Sequence, residues 1–128
     1  MPIVSGAFDV TLTPLDIDGP LMGRMRIDKQ FHGPLTATSL GQMLSAATAF
    51  KGSAAYVAIE RVSGTLDGKT GSFVLHHTGV MNRGDGSLSI AVVPDSGTDA
   101  LVGIAGTMAI TLEDKQHQYS FDYTVPAM

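Results

Sequence analysis

Lys29, Glu60 and His77 are ionisable residues that stand among apolar neighbours at the spacing of a β-strand. Alternate residues of a strand point to the same face, so each of the three shares a face with apolar side chains. The residues in phase with them are Met25, Ile27 and Phe31, then Tyr56, Ala58 and Val62, and then Phe73, Leu75 and Gly79. The pattern predicts that the three ionisable groups point into the protein.

These groups have the chemistry of an acid–base site. An unpaired charge in an apolar interior is costly, so an inward Lys29 needs an acidic partner, and Glu60 is the candidate. His77 could donate or accept a hydrogen bond and move a proton near neutral pH. In a catalytic interpretation, Glu60 or His77 moves a proton while Lys29 or a tyrosine stabilises developing negative charge. The candidate catalytic residues are therefore Glu60, His77 and Lys29.

A purely structural interpretation of the same residues stays open. Lys29 or Glu60 could lie near the mouth of a barrel and extend its charged end into water. The face to which Glu60 points is also ambiguous, because Val57 and Ile59 on the opposite face are equally apolar. His77 could be a hydrogen-bonded core histidine.

The three tyrosines of the chain each combine an aromatic wall with a hydroxyl group. Such side chains suit a cavity for a small, mainly apolar molecule with one or two polar groups. The seven methionines would give that cavity an adaptable lining, although plain core packing is the alternative. The candidate ligand-binding residues are Tyr56, Tyr119, Tyr123, Met25, Phe31 and Phe73.

No sequence motif specifies one reaction. The chain contains no phosphate-binding P-loop, zinc-protease HExxH, EF-hand loop or hydrolase GxSxG motif. The glycines around Asp67-Gly68 are explained by the geometry of a hairpin turn better than by phosphate binding. A metal site would need His77 and His117 to converge with a carboxylate. We expect no metal ion and no cofactor.

Turn residues divide the chain into eight segments of β-strand character. The predicted strands are residues 5–13, 21–32, 36–46, 54–65, 70–81, 87–94, 101–113 and 117–124. Residues 37–50 are the least certain, because their Met, Leu, Ala and Phe side chains could also line a helix. The Pro94–Ala100 segment should form a loop at one end of the sheet, because proline and glycine interrupt a strand ladder.

Alternation in the first, second and last segments gives each strand one apolar and one polar face. In the last segment, His117, Tyr119, Phe121 and Tyr123 share a face. Eight such strands can close without leaving an edge, around an interior that holds side chains or one small ligand. The predicted fold is all-β: a closed eight-stranded antiparallel up-and-down β-barrel in a single domain, residues 1–128. Its core should contain Phe8, Ile27, Phe31 and Phe121.

Composition limits the partners of this domain. The 128 residues are 44% hydrophobic and 16% charged, which is typical of a globular chain. A net charge of −4 with scattered basic residues argues against nucleic-acid binding. The absence of cysteine fits a reducing cytoplasm. The start of the chain does not resemble a signal peptide, and no apolar run approaches the ~18 residues of a membrane span. We therefore expect a cytoplasmic protein with no membrane partner.

The segment Tyr56–Gly79, YVAIERVSGTLDGKTGSFVLHHTG, resembles the DUF3224 family of small bacterial proteins of unassigned function. Gly52–Ala54, Pro94–Thr98 and Tyr119–Tyr123 extend the likeness over nearly the whole chain. A more distant resemblance links Tyr56-x-Ala-Ile and the glycines after it to plant allene oxide cyclases and dirigent proteins. That resemblance implies an eight-stranded barrel with an apolar ligand cavity. It does not extend to the cyclase reaction, because this chain lacks a counterpart of that enzyme's cavity cysteine.

These observations indicate two possible functions from different classes, and a third applies if the barrel interior is filled. The first is binding of a small hydrophobic or amphipathic molecule inside the barrel. The alternative is an isomerase or cyclase that uses the inward Glu, His and Lys set. If the interior is plugged by side chains, a structural or protein-interaction barrel is the remaining possibility. The expected partners are a small hydrophobic molecule and, as an open alternative, further copies of the chain in a homo-oligomer.

Overall fold

Eight antiparallel strands form a closed β-barrel in the computed structural model, which describes residues 2–17 and 19–126. Each strand pairs with the next along the chain, and the last pairs with the first. The strands are β1 (Ile3–Leu15), β2 (Met22–Phe31), β3 (Leu35–Ala47), β4 (Ala54–Leu66), β5 (Lys69–Asn82), β6 (Asp85–Val92), β7 (Ala105–Glu113) and β8 (Gln116–Thr124). No helix in the described ranges is long and apolar enough to cross a membrane.

The predicted all-β, closed eight-stranded antiparallel barrel is confirmed, and each predicted strand has a counterpart. In the segment 37–50, which could also have been a helix, residues 37–47 belong to strand β3, and β3 pairs along its whole length with β4. The predicted start of the seventh strand at residue 101 is wrong. A short 3-10 helix (Asp99–Leu101) occupies that position, and β7 begins only at Ala105. The sixth strand also ends before Pro94, which has no N–H to donate to a ladder.

The segment between β6 and β7 covers one end of the barrel, which we call the closed end. Leu101 and Ile104 are buried in the same core cluster as Leu35 and Leu66, where β3 begins and β4 ends. The segment is held to β5 by hydrogen bonds in both directions between the backbones and side chains of Thr98 and Ser72. The predicted loop at one barrel end is therefore confirmed.

Aromatic side chains fill the closed half of the barrel. Phe73 and Phe121 stack with ring centroids 5.6 Å apart, and Phe8 and Phe31 are in contact at the same separation. Phe121, Phe8, Phe31 and Ile27 are all buried. The four core positions predicted from alternation are confirmed.

The opposite end, which we call the open end, carries the β2 start, β3 end, β4 start, β5 end and β6 start. Strands β6 and β7 pair at only two described positions, Ile90 with Met108 and Ala91 with Thr107. The first half of β6 therefore stands apart from β7. The outer face of β3 and β4 is less polar than expected, because Leu40, Leu44, Val57 and Ile59 are exposed there.

Replacement of Phe121 by alanine tests the role of the closed half. Phe121 is fully buried between Phe73 and Tyr123, so Phe121→Ala should lower the free energy of unfolding by about 3–5 kcal/mol. Leu112→Ala is the control, because Leu112 is 63% exposed and its loss should change stability by less than about 0.5 kcal/mol. Urea unfolding followed by circular dichroism measures both. Equal effects of the two variants would contradict this description of the core.

Candidate functional site

A buried carboxylate lies at the centre of a polar cluster on four adjacent strands. Glu60 on β4 accepts hydrogen bonds at Oε1 from Lys29 Nζ on β2 (3.1 Å) and from His77 Nε2 on β5 (3.1 Å). Its Oε2 accepts a hydrogen bond from Ser39 Oγ on β3 (2.9 Å). We call these four residues the Glu60 network. Each strand from β2 to β5 supplies one member.

The Glu60 network is sealed from water. The side chains of Lys29 and Glu60 are 6% and 0% exposed, and that of His77 is 5% exposed. The prediction that these groups point inward is confirmed. The alternative in which Lys29 or Glu60 extends into water is wrong, because the barrel interior brings donors within reach of the carboxylate. The neighbouring His76 is exposed on the outer face.

The register of the strands explains how a carboxylate fits here. Gly41 lies directly opposite Glu60 in the β3–β4 ladder. A Cβ on residue 41 would stand 2.7 Å from the Glu60 Cβ, so a larger residue would collide with the base of the carboxylate side chain. Cation–π contacts also stabilise the Lys29 ammonium, because its Nζ lies 5.1 Å and 5.8 Å from the ring centroids of Phe8 and Phe31.

Electrostatics keep Glu60 ionised. Burial acts to raise the pKa of Glu60, but the hydrogen bond from His77 and the positive charge of Lys29 outweigh burial, and the pKa lies below its usual value. An ionised carboxylate only accepts hydrogen bonds, so the His77 nitrogen that contacts it, Nε2, carries a proton. In a neutral imidazole the other nitrogen, Nδ1, is then an acceptor. Nδ1 makes no hydrogen bond with any residue that the structure describes.

An apolar cavity of about 690 Å³ lies at the open end. Its wall is mostly methionine, leucine, alanine and valine, and its polar side chains are Ser45, Tyr56 and Ser87. The Tyr56 ring lies across the backbone of β5 at Gly79, where a Cβ would overlap the ring. Along β4, Ala58 and then Glu60 follow Tyr56 on the inward face. In the strand register His77 therefore lies level with the cavity residue Met43, and Glu60 lies one inward position deeper.

The three tyrosines have different surroundings. Tyr119 donates to the His32 carbonyl (2.7 Å) and accepts from the Leu35 N–H (3.1 Å). Tyr123 donates to the Asp67 carboxylate, and burial together with this contact raises the pKa of Tyr123 to about 12. The Tyr56 hydroxyl, by contrast, makes no hydrogen bond within residues 2–17 and 19–126. Burial and the negative charge of Glu60 raise its pKa.

The structure brings some of the predicted ligand-binding residues together and separates others. Tyr56 lines the cavity, and Met25 lies opposite the cavity residue Met43 in the β2–β3 ladder. The remaining four belong to the core cluster that fills the closed half: Phe31, Phe73, Tyr119 and Tyr123.

One member of the Glu60 network, Ser39, was missed from the sequence. Of the seven methionines that were expected to line a cavity, Met22, Met43 and Met81 do so. Ser39 shares its phase with Leu35 and Ala37, which could have marked it as inward, but a possible helix in this segment obscured the alternation. No group of three or more potential His, Cys, Asp or Glu metal ligands occurs within the described residues.

The fold and these residues define a class of protein: a closed eight-stranded barrel with a buried carboxylate network beneath an open apolar cavity. The family model described as "Protein of unknown function (DUF3224)" matches residues 4–123, and the chain belongs to this family. No curated protein matches. The chain is similar to a solved structure of a DUF3224 protein of unknown function from Shewanella oneidensis MR-1. The two are 50% identical with a TM-score of 0.95, over 100% of this chain and 99% of that one.

Replacement of Glu60 by glutamine tests the network. Glu60→Gln leaves Lys29 buried without its carboxylate, and we expect the free energy of unfolding at neutral pH to fall by about 3–5 kcal/mol. The pKa of Glu60 is lower in the folded than in the unfolded chain, so its ionised form stabilises the fold. This contribution is complete above the ordinary value of 4.5 and is lost as the pH falls through the lowered pKa.

Urea unfolding of both proteins between neutral and acidic pH measures the effect. The stability difference between wild type and Glu60→Gln should stay constant above about pH 5 and shrink below it. Glu113→Gln is the control, because Glu113 is exposed and makes no hydrogen bond to a described residue through its side chain. A difference that does not change with pH would show that Glu60 is not ionised in the folded protein.

Proposed function

We propose that this protein binds a small, mainly apolar molecule in the cavity at its open end. One observation carries the proposal: the barrel is packed with aromatic side chains at one end and holds an apolar cavity of about 690 Å³ at the other. Ligand sites of proteins are clefts of roughly 300–1,000 Å³, lined by apolar side chains with a few polar groups. The cavity matches that description.

The composition of the cavity wall supports a ligand over a structural role. Met22, Met81 and Leu88 are 46%, 47% and 46% exposed, and all three line the cavity. Apolar area left in contact with water gains free energy when a ligand covers it, at about 25 cal/mol per Å². Flexible methionine side chains adapt their shape to the molecule that enters. A barrel with only a structural role would gain more from larger side chains at this end.

Displacement of a fluorescent probe tests the proposal. N-phenylnaphthylamine is uncharged and apolar, and its fluorescence rises when it leaves water. We expect it to bind at one site per chain and to be displaced by apolar molecules of similar size. Ser45→Phe should weaken probe binding by about tenfold or more, because Ser45 lines the cavity and the larger ring would occupy it.

Thr78→Phe is the matched control for Ser45→Phe. Thr78 is exposed on the outer face of β5 and precedes Gly79, which lines the cavity. The same residue placed outside the barrel should leave probe binding unchanged. Thermal unfolding of both variants shows whether each is folded. Absence of probe binding to the wild type, or equal effects of the two variants, would overturn the proposal.

The contact between Glu60 and His77 favours a second function, acid–base isomerisation of the bound molecule. A carboxylate that holds Nε2–H of His77 (3.1 Å) orients the ring and supports positive charge on it, which is how carboxylates activate catalytic histidines. His77 lies one inward position below Gly79, a residue of the cavity wall. In this second proposal His77 Nδ1 takes a proton from a carbon next to a ligand carbonyl, and the electron pair of the broken C–H bond passes to the carbonyl oxygen to give an enolate. The protonated His77 then returns a proton to a carbon of the enolate.

Exchange of carbon-bound hydrogen for deuterium tests the second function. A medium-chain ketone incubated with the protein in heavy water should lose its α-hydrogen NMR signals faster than in buffer. The acceleration should disappear in both His77→Gln and Glu60→Gln, while His76→Gln, on the outer face, should retain it. Exchange at the buffer rate with wild-type protein would exclude this activity and leave the binding proposal untouched.

A further inference from the structure

We infer that the ligand of the open-end cavity is an uncharged molecule whose hydroxyl or carbonyl group binds the Tyr56 hydroxyl, and that the corresponding carboxylate is excluded. The inference rests on the proposed binding function and names the chemical class of the ligand. Medium-chain alcohols, ketones and terpenoid alcohols belong to this class, and fatty acids at neutral pH do not. Two independent features of the cavity support it.

The first feature is the absence of charge from the cavity wall. None of the side chains that line it, all within the described residues, is ionised at neutral pH. The polar side chains of the wall, Ser45, Tyr56 and Ser87, are all hydroxyls. An ionised group buried without a partner of opposite charge is strongly disfavoured, whereas a hydroxyl or carbonyl needs only one hydrogen bond. The wall therefore suits an uncharged head group.

The buried cation of the barrel does not change this conclusion. Lys29 is hydrogen-bonded to Glu60 and packed against aromatic rings. In the strand register Lys29 lies level with Ser39 and Val62, one inward position farther from the open end than Glu60. The ammonium of Lys29 is already paired with the Glu60 carboxylate (3.1 Å), so it offers no free positive charge to the carboxylate of a ligand.

The second feature is the free hydroxyl of Tyr56. Tyr119 and Tyr123 use their hydroxyls within the closed half, but the Tyr56 hydroxyl has no hydrogen-bond partner among the residues that the structure describes. Close approach to Gly79 sets the position of its ring. Burial and the charge of Glu60 raise the pKa of Tyr56, so the hydroxyl stays protonated and can donate to a ligand oxygen. Tyr56 thus provides a positioned donor in an apolar wall.

Two ten-carbon molecules that differ only at the head group test the inference. Decanol and decanoate compete with N-phenylnaphthylamine for the wild-type protein at about pH 8, where decanoate is ionised. We expect decanol to displace the probe and decanoate to bind weaker by about tenfold or more. In Glu60→Gln the preference should fall or reverse, because Lys29 loses its partner carboxylate and its positive charge becomes available to an anion.

A cavity that is only apolar would also disfavour an anion. Removal of the Tyr56 hydroxyl therefore tests whether this group binds the head group of the ligand. Tyr56→Phe should weaken decanol binding by roughly 3- to 10-fold, the value of one hydrogen bond, and leave probe binding unchanged. Tyr123→Phe is the matched control, because it removes the same group at the closed end, where the hydroxyl binds Asp67. This control should bind decanol as wild type does.

Each outcome decides a different statement. If decanoate binds as tightly as decanol, or if Tyr56→Phe binds decanol normally, the inference about the ligand class is wrong while the binding function stands. If the probe, decanol and decanoate all fail to bind, the proposed function itself is wrong. Decanol binding that is selective over decanoate and sensitive to Tyr56→Phe but not to Tyr123→Phe supports both.

Discussion

The ionised carboxylate of Glu60 in the middle of an apolar barrel is the constraint on which the rest of this structure depends. Taking such a group out of water costs several kcal/mol unless donors replace the lost water. Here Lys29, Ser39 and His77 replace it, each from a different strand. A shift of any one strand by a single residue would turn its donor to the outer face. The network thereby specifies the register of β2 to β5.

The Glu60 network is better described as a determinant of strand register than as a source of folding stability. A buried ion pair is often no more stabilising than apolar side chains of the same volume, although removal of one partner is strongly destabilising. The apolar packing that holds the barrel together lies elsewhere, in the closed half, where Phe73 and Phe121 stack and the segment carrying Leu101 covers the end. Because the closed half supplies the core, the other end of the barrel can hold an open cavity.

The three tyrosines also differ in their contacts according to their position along the barrel. Tyr119 and Tyr123 tie loops to the closed end through their hydroxyls. Tyr56 lines the apolar cavity, and its hydroxyl has no such partner among the described residues. The proposed preference for an uncharged ligand depends on this position, where the cavity wall offers hydroxyl groups and no charged side chain.

The sequence by itself determined the fold class and the apolar side chains of the core. Alternation with a period of two identifies the buried face of each strand, and turn residues mark the strand ends, because both are local properties of the chain. Phe8, Phe31 and Phe121 could be placed inside on this basis. For Lys29 and Glu60 the pattern left a position at the barrel mouth open, and the structure shows that both are buried. The start of β7 could not be placed in this way, because residues 101–104 are apolar for a different reason: they cover a barrel end. Only the tertiary structure decided that Glu60 is hydrogen-bonded by Lys29, Ser39 and His77. It also decided that one end of the barrel is packed while the other holds an open cavity, and that Tyr56 alone among the tyrosines lines this cavity. These features depend on strand register and on which loop folds over which end, and both are set by contacts between residues far apart in the chain.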